Sequence, residues 1–319
     1  MSLAPHVATL GRGPGRSRSL TRAEAEAAMT LMLSGEAAPE AVGALLMLLR
    51  MKGEVAGEIA GFAHAAQQGC AFSVQADLDW PSYAAGRTRG LPWFLLSARL
   101  VARAGHRVVL HGWNGSDATV RAHLEEAGIP LARTEAEAAR AMSKGGIVYL
   151  PLEDLHPALF DLLALRPVLG LRSCINTVAR MFNPARARAS VQGVFHPSYR
   201  LLQADAAALL GWEALSVIKG GGGEFERHPG KQIGGFGLRG GQPWEDALPA
   251  LCDDTRRLAE VAPGVGLGAL WSGGARDAFA EAIVIGTAAL ALDTLGISDA
   301  AQDAHSLWYD RLDAQEDAA

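Results

Sequence analysis

The stretch DLDWPSYAAGRTRGLPWF, residues 77–94, places two arginines and two aromatic residues where a short strand is expected to give way to a helix. A guanidinium pairs with phosphate through two parallel hydrogen bonds, and an aromatic ring stacks on a nucleobase. We therefore predict that Arg87 and Arg89 bind phosphate and that Trp80 and Tyr83 stack on bases. In the alternative, the two rings fill a vacant site inside the protein and the arginines lie on its surface.

A run of four glycines occurs in VIKGGGGEFERHPGK, residues 217–231. Successive glycine N–H groups can converge on an anion, and neighbouring cationic side chains add to the attraction. A flexible, solvated loop is the alternative. The predicted phosphate or nucleic-acid ligands of this segment are Lys219, Gly220, Gly221, Gly222, Arg227 and Lys231.

Two carboxylates in the same segment, Glu224 and Glu226, are candidate metal ligands. Mg²⁺ prefers hard oxygen ligands of this kind, although two carboxylates form a sparse site.

A third cluster, RMFNPARARAS, brings Arg180, Arg186 and Arg188 close together without an acidic residue between them. Such a local basic patch could contact a phosphate backbone. A solvated surface is the alternative.

The elements that position these residues fall into two groups. The first is helical: TRAE at residues 21–24 is a capping-box signature, and two more helices are expected after Pro39 and from about Glu54 to Gln68. Residues 11–19 read as a flexible basic lead-in, with structure expected to start at Thr21. This unit is too small to bury much core, so we expect it to pack against the rest of the chain or a second copy.

The second group alternates apolar strands with helices, which indicates an α/β domain with a mostly parallel, covered sheet. Ligands bind such sheets beyond the carboxyl ends of the strands. The predicted domains are a helical domain over residues 1–75, joined by part of 170–190, and an α/β domain over residues 76–319.

Composition excludes several classes of protein. The chain has 319 residues, a net charge of −5 and three widely spaced cysteines, so a disulfide framework and structural zinc are not expected. The first twenty residues carry no signal-peptide pattern, and no apolar run is long enough to span a membrane. We expect a cytoplasmic protein without a membrane partner, in which any nucleic-acid surface is local.

Several segments together resemble the anthranilate phosphoribosyltransferase family, glycosyltransferase family 3. They are residues 36–65, AGHRVVLHG at 104–112, residues 152–185, GVFHP at 193–197 and VIKGGGGEFER at 217–227. The resemblance implies that family's fold and a homodimer formed through the helical domain. It also implies an acceptor pocket containing His111, Arg166 and Asn176.

The donor side departs from the family pattern. The glycine-rich loop that holds pyrophosphate in active members is replaced by DWPSYAAGRTRG, and Phe225 replaces one carboxylate of the acidic pair. The resemblance therefore implies a divergent branch with an eroded donor site, and we predict a homodimeric DNA- or RNA-binding protein. The alternative is an active phosphoribosyltransferase that transfers phosphoribose from phosphoribosyl pyrophosphate to an aromatic amine such as anthranilate. A phosphorylated small molecule would then be a partner, and only then is Mg²⁺ expected as a cofactor.

Overall fold

The computed structural model describes residues 2–84, 90–113, 119–260 and 262–313. The chain begins with four helices: α1 (Ala4–Gly11), α2 (Arg22–Leu33), α3 (Pro39–Lys52) and α4 (Ala56–Gln68). The expectation that structure starts at Thr21 is wrong, because α1 precedes it and packs against α3 with Leu3 and Leu10 buried. The capping box is confirmed: Thr21 Oγ1 accepts from the Glu24 amide, and the Glu24 carboxylate accepts from the Thr21 amide.

Seven strands form one mixed sheet, with the order β3-β2-β1-β4-β5-β6-β7. The first five are parallel, and the last two form an antiparallel hairpin that continues the sheet to its edge at β7. The mostly parallel sheet is thus confirmed; the hairpin was not predicted. The strands are β1 (Leu78–Ser82), β2 (Val108–Gly112), β3 (Ile147–Pro151), β4 (Ala189–Val194), β5 (Ala214–Lys219), β6 (Ile233–Arg239) and β7 (Gln242–Leu248).

The remaining helices connect and cover these strands. Pro157 begins α9, and Leu165 separates α9 from α10. The helices are α5 (Phe94–Arg103), α6 (Thr119–Ala122), α7 (Glu135–Gly145), α8 (Leu152–Leu155), α9 (Pro157–Ala164), α10 (Arg166–Leu169), α11 (Ile175–Met181), α12 (Ser198–Leu210), α13 (Leu267–Ser272), α14 (Ala278–Thr294) and α15 (Ala300–Tyr309).

Both faces of the parallel part of the sheet are buried. Val109 and Val148 belong to the core on one face, which continues into the helical bundle. Leu110 and Tyr149, one position further along β2 and β3, belong to the core on the other face, beneath α5 and α14. Strand side chains alternate between faces, so a strand covered on both sides must be apolar at nearly every position.

Several helices of the α/β part contact the helical bundle, among them α9, which packs against α2. Both α11 and α12 pack against α4, and the segment around residues 170–190 therefore lies at the junction. The boundary at residue 75 stays a prediction. Within the described ranges, no helix combines the length and apolarity that a membrane span requires.

Candidate functional site

A cavity of about 250 Å³ opens beyond the carboxyl end of β4. Val194 at the end of that strand forms one wall, and the segment from α10 to α11 forms another. Four arginines line it, and they come from both the helical and the α/β parts: Arg50, Arg166, Arg172 and Arg180. The lining also includes Asn176, Phe195, His196 and Tyr199. The position agrees with the rule that parallel sheets bind ligands at this end.

Of the three residues predicted from the sequence to form the acceptor pocket, two line this cavity and one does not. Arg166 begins α10 as an exposed residue at the cavity, and Asn176 lies in the first turn of α11. His111 is fully buried in β2 and does not line the cavity, so its expected place in the pocket is wrong. Sequence reasoning missed Arg50 and Arg172, because Arg50 comes from α3, far away along the chain. The one available signal was the recurrence of arginines around the predicted Arg166.

Arg180 acts as an internal brace between three segments. Its Nε donates to the Gly193 carbonyl at 3.0 Å, and its Nη2 donates to the Tyr83 carbonyl at 2.9 Å. Its Nη1 donates to the backbone oxygen of Asn176 and to that residue's Oδ1. Burial lowers the pKa of this guanidinium, while the charge of Glu224 raises it. Because Arg180 is only 6% exposed, its expected place in a surface patch for a phosphate backbone is wrong.

His111 is the middle member of a buried polar chain. Its Nδ1 lies 2.8 Å from the Tyr83 hydroxyl, and its Nε2 lies 3.0 Å from Oδ1 of Asp79. The other Asp79 oxygen accepts a 2.7 Å hydrogen bond from Ser190 on the neighbouring strand. Burial raises the pKa of Tyr83 well above its usual value, so the phenol stays protonated. The hydrogen bonds from Ser190 and Tyr83 partner two atoms of this chain, while His111 Nε2 and Asp79 Oδ1 approach each other without hydrogen-bond geometry.

The two predicted stacking residues lie in the core. Trp80 is fully buried, with its ring stacked 6.3 Å from that of Phe94 and in edge contact with Phe225 at 5.4 Å. Tyr83 is equally buried. Neither ring offers a face to a nucleobase, so the stacking prediction is wrong, and the alternative of rings that fill the interior agrees with their burial. The predicted phosphate ligands Arg87 and Arg89 lie outside the described residues.

The glycine run turns the chain back over β4 and does not form the predicted amide nest. Three of its amides donate to backbone carbonyls: Gly220 to Val194, Gly221 to Glu226, and Gly223 to Gly220. Glycine is needed at Gly220, because a Cβ there would lie 1.7 Å from the Glu224 carbonyl oxygen. The prediction of an anion-binding nest at Gly220, Gly221 and Gly222 is therefore wrong, because two of these three amides already donate to backbone carbonyls.

The two candidate metal ligands hold the chain on either side of the donor-side loop. Oε1 of Glu224 accepts a 2.8 Å hydrogen bond from the Ala84 amide, and Oε2 of Glu226 accepts one of 3.0 Å from the Phe94 amide. Burial raises the pKa of Glu224 to about 7, partly offset by Arg180, and raises that of Glu226 to about 8. Mg²⁺ takes oxygen ligands, usually from one or two carboxylates together with substrate phosphates. With one oxygen of each carboxylate already bonded to a buried amide, the pair as placed does not fit a magnesium ion by itself. No cluster of three or more metal-binding side chains occurs in the part of the chain that the structure describes.

The remaining basic residues lie apart. Arg227 is 7% exposed and donates to the Pro249 carbonyl, so it is no surface phosphate ligand. Lys219 and Lys231 are exposed, the first at the carboxyl end of β5. Arg186 and Arg188 are exposed just before β4 begins, which is the opposite end of the sheet. The exposed cations of these segments thus lie at both ends of the parallel strands.

Two family models match the chain. The helical bundle domain of a glycosyl transferase family matches residues 6–70, and the α/β domain of the same description matches residues 94–235. Together they cover more than half of the chain.

Curated relatives point the same way. An anthranilate phosphoribosyltransferase from Symbiobacterium thermophilum is 33% identical over 220 residues, which is 67% of this chain and 64% of that protein. One from Desulforudis audaxviator is 36% identical over 212 residues, 64% of this chain and 60% of that protein. The chain thus spans slightly less than two thirds of the length of these relatives.

Solved structures share the fold. The anthranilate phosphoribosyltransferase of Thermus thermophilus superposes with a TM-score of 0.78 at 22% identity, covering 98% of each chain. The enzyme from Saccharomyces cerevisiae, in complex with PRPP and Mg, gives a TM-score of 0.75 at 14% identity over 98% of this chain and 95% of that one. At these identities the likeness is one of fold.

Proposed function

Because this chain belongs to the glycosyl transferase family whose helical-bundle and α/β domains it matches, we propose that it is a phosphoribosyltransferase. It would transfer phosphoribose from phosphoribosyl pyrophosphate to an aromatic amine that carries a carboxylate, such as anthranilate. The curated relatives named above support this reaction, since they carry that activity in their names. A complex of the Saccharomyces cerevisiae enzyme with 4-fluoroanthranilate gives an example of such an acceptor on the same fold.

The observation that carries the proposal is the arginine-lined cavity beyond β4. Arg50, Arg166 and Arg172 surround a space of about 250 Å³, and Tyr199 and Phe195 supply aromatic walls. Guanidinium groups pair bidentately with a carboxylate, and the rings can contact a planar acceptor. The volume falls slightly below the usual range of about 300–1,000 Å³ for small-molecule sites, which suits a single-ring acceptor better than a larger ligand.

The reaction joins the acceptor nitrogen to the anomeric carbon of the ribose. The carbon–oxygen bond to pyrophosphate breaks, pyrophosphate leaves with the bonding electrons, and the amine loses a proton. This chain's contribution is positioning: the arginines fix the acceptor, and Arg180 ties the Tyr83 and Gly193 segments to the pocket wall. Tyr83 and His111 are bonded to each other within the core, so neither is assigned the role of base.

Binding of the donor, phosphoribosyl pyrophosphate, requires hydrogen bonds on the donor side to rearrange. Magnesium would arrive with phosphoribosyl pyrophosphate as part of the substrate, but Glu224 and Glu226 do not fit the ion while they accept from Ala84 and Phe94. Those bonds would have to exchange for substrate contacts.

The direct test follows the loss of anthranilate fluorescence in the presence of phosphoribosyl pyrophosphate and Mg²⁺. The wild-type protein should form product, and Arg166→Ala and Arg172→Ala should each raise KM for anthranilate by about tenfold or more, since a charge-assisted contact contributes about 1.5–3 kcal/mol. Arg133→Ala, an exposed arginine paired with Asp154 outside the pocket, is the control and should leave KM unchanged. Absence of product, together with no heat on titrating phosphoribosyl pyrophosphate with Mg²⁺ in a calorimeter, would refute the proposal.

On the donor side, Glu224 and Glu226 already accept hydrogen bonds from backbone amides. This favours a second candidate, a homodimeric DNA- or RNA-binding protein without transferase activity. It would use the exposed cations Arg186, Arg188, Lys219 and Lys231. The affinity measured in a gel-shift assay should then fall steeply with salt. The slope of log K against the logarithm of the salt concentration should be about −0.9 for each phosphate neutralised on duplex DNA. The double variant Arg186→Ala, Arg188→Ala should weaken binding, and light scattering should report a dimer. No shift at low salt would exclude this candidate.

A further inference from the structure

A second cavity, larger than the acceptor pocket, lies beside the edge strand β3. Its volume is about 1100 Å³, and its lining shares no residue with the pocket beyond β4. We call it the β3 groove. It is formed where α5, α7 and the segment 121–131 meet Ile147 at the start of β3.

The floor of the β3 groove is apolar. Leu124, Ile129, Ile147 and Trp271 lie at its base and are almost fully buried, so its water-accessible apolar surface comes from Ala102, Pro130, Leu131 and Ala141. Such a floor would be covered favourably by a flat or aliphatic group, since burying apolar surface contributes about 25 cal/mol per Å².

The rim of the β3 groove is cationic. Five of its lining residues carry positive charge: Arg99, Arg103, Arg121, Arg140 and Lys144. Arg121 is neutralised by Glu153, to which its Nη2 donates at 2.8 Å. Two carboxylates share the lining, and Oε2 of Glu137 is already used, because it accepts from the amides of Arg133 and Thr134. Glu125 is the other.

Arg99 is held in place by its surroundings. Its guanidinium lies 4.0 Å from the ring centroid of Trp271 and donates to the Ala127 carbonyl at 3.1 Å. A Cβ at Gly128 would lie 2.8 Å from Nη1 of Arg99, and Gly128 has a φ of +69°, so glycine permits this approach. Burial, followed by the charge of nearby Arg103, lowers the pKa of Arg99. Among the described residues, the ion pairs include neither Arg99 nor Arg103, so no paired carboxylate compensates their positive charge.

Arg140 and Lys144 add to this excess. They lie four residues apart on α7, so they share one side of the helix, where like charges repel. Both are exposed, and the ion pairs found among residues 2–84, 90–113, 119–260 and 262–313 include neither. A cation near the C-terminus of a helix is stabilising, which explains the positive charge at Lys144 but not the one at Arg140.

We propose that the β3 groove binds a nucleotide of the nucleoside diphosphate type, independently of the acceptor pocket. The phosphates face Arg103, Arg140 and Lys144, and the base lies on the apolar surface of Pro130 and Leu131. The volume is slightly above the usual upper limit of about 1,000 Å³ for small-molecule sites, which leaves room for a ligand of this length. Guanidinium groups favour phosphate because their N–H geometry matches its oxygens.

The test is calorimetric titration of the full chain with ADP, without phosphoribosyl pyrophosphate or acceptor. The wild type should bind ADP saturably, with adenosine binding much more weakly. Arg140→Ala, Lys144→Ala should raise Kd about tenfold or more, since two charge-assisted contacts are lost. Both residues are exposed, so the variant should keep its fold, which circular dichroism and Tm check.

Two control variants make the result specific. Arg12→Ala, Arg16→Ala removes the same charge from exposed positions at the amino end of the chain and should leave Kd unchanged. Arg166→Ala alters the acceptor pocket and should also leave ADP binding intact, whether or not phosphoribosyl transfer occurs. The proposal is overturned if ADP fails to bind at millimolar concentration, if adenosine binds as tightly, or if the groove variant binds like the wild type. Loss of binding in Arg166→Ala alone would also overturn it, because the ligand would then occupy the other cavity.

Discussion

The backbone amide of Ala84 donates a 2.8 Å hydrogen bond to Oε1 of Glu224, a residue 140 positions further along the chain. Glu226 accepts in the same way from the amide of Phe94. The two carboxylates therefore fix both flanks of the segment that the sequence marked as the donor-side loop. Their first task in this structure is to satisfy buried backbone donors, and any ligand that needs these carboxylates must compete with those bonds.

Removing the Glu226 acceptor should destabilise the fold. Glu226→Ala would leave the buried Phe94 amide without its partner, and we expect the free energy of unfolding to fall by about 1–3 kcal/mol. Glu226→Gln keeps an acceptor oxygen of the same shape and should cost less. Urea denaturation at neutral pH measures both. Equal losses in the two variants would contradict the role assigned to this oxygen.

The same pair should make stability depend on pH. Burial raises the pKa of Glu224 to about 7 and of Glu226 to about 8, above the ordinary value of 4.5. Between pH 4.5 and 8 the folded state therefore binds more protons than the unfolded state, so the free energy of unfolding should fall as pH rises. Each such group changes the free energy of unfolding by at most about 1.4 kcal/mol for every pH unit over which it is protonated in the folded state and ionised in the unfolded state.

The matched variant for this pH effect is Glu224→Gln, Glu226→Gln, which cannot ionise. Denaturation curves at several pH values should show a downward slope from pH 5 to 8 in the wild type and a flatter one in the variant. A wild-type slope that survives the double substitution must come from other groups.

A methyl group at Gly193 should be poorly tolerated. Its Cβ would lie 2.0 Å from the Glu224 carbonyl carbon, so β4 and the turn after the glycine run would have to separate. We expect Gly193→Ala to lower Tm strongly or to prevent folding. Gly57→Ala in α4, where a Cβ meets nothing within 4 Å, should leave Tm unchanged or raise it, because alanine favours helix by about 1 kcal/mol. Similar Tm values for the two variants would show that the turn can move.

Arg180 should matter for stability as well as for the pocket. Arg180→Met would leave the carbonyls of Tyr83 and Gly193 without this donor, and we expect a loss of about 2–4 kcal/mol of the free energy of unfolding. Arg188→Met, at an exposed position, should change it by about 0.5 kcal/mol or less. Chemical denaturation distinguishes the two, and a small effect of Arg180→Met would mean that water replaces the guanidinium.

The sheet was predictable from local pattern, because strands such as Val108–Gly112 carry apolar residues on both faces. α1 was missed: it has eight residues, and no side chain caps its start. The burial of Trp80 follows from topology, since β1 lies between β2 and β4 at the centre of the sheet. Without the strand order, a tryptophan beside a tyrosine and two arginines reads as a binding loop.

The site was harder to predict than the fold because its decisive contacts join distant segments. No spacing rule pairs Ala84 with Glu224 or Phe94 with Glu226. Arg166 and Asn176, which the resemblance assigned to the acceptor pocket, line the cavity beyond β4. His111, assigned to the same pocket, is buried in β2, where its contacts with Tyr83 and Asp79 depend on the strand order rather than on any single motif.

The hairpin strand β7 ends the sheet with the sequence QPWEDAL, largely open to water. Its outer backbone groups could template pairing with another polypeptide, as bare strand edges do in aggregates. Pro243 lacks an amide to offer, and Glu245 and Asp246 place negative charge on the same strand, so an incoming strand would meet both a missing donor and electrostatic repulsion. This border of the molecule is thereby protected against open-ended strand addition.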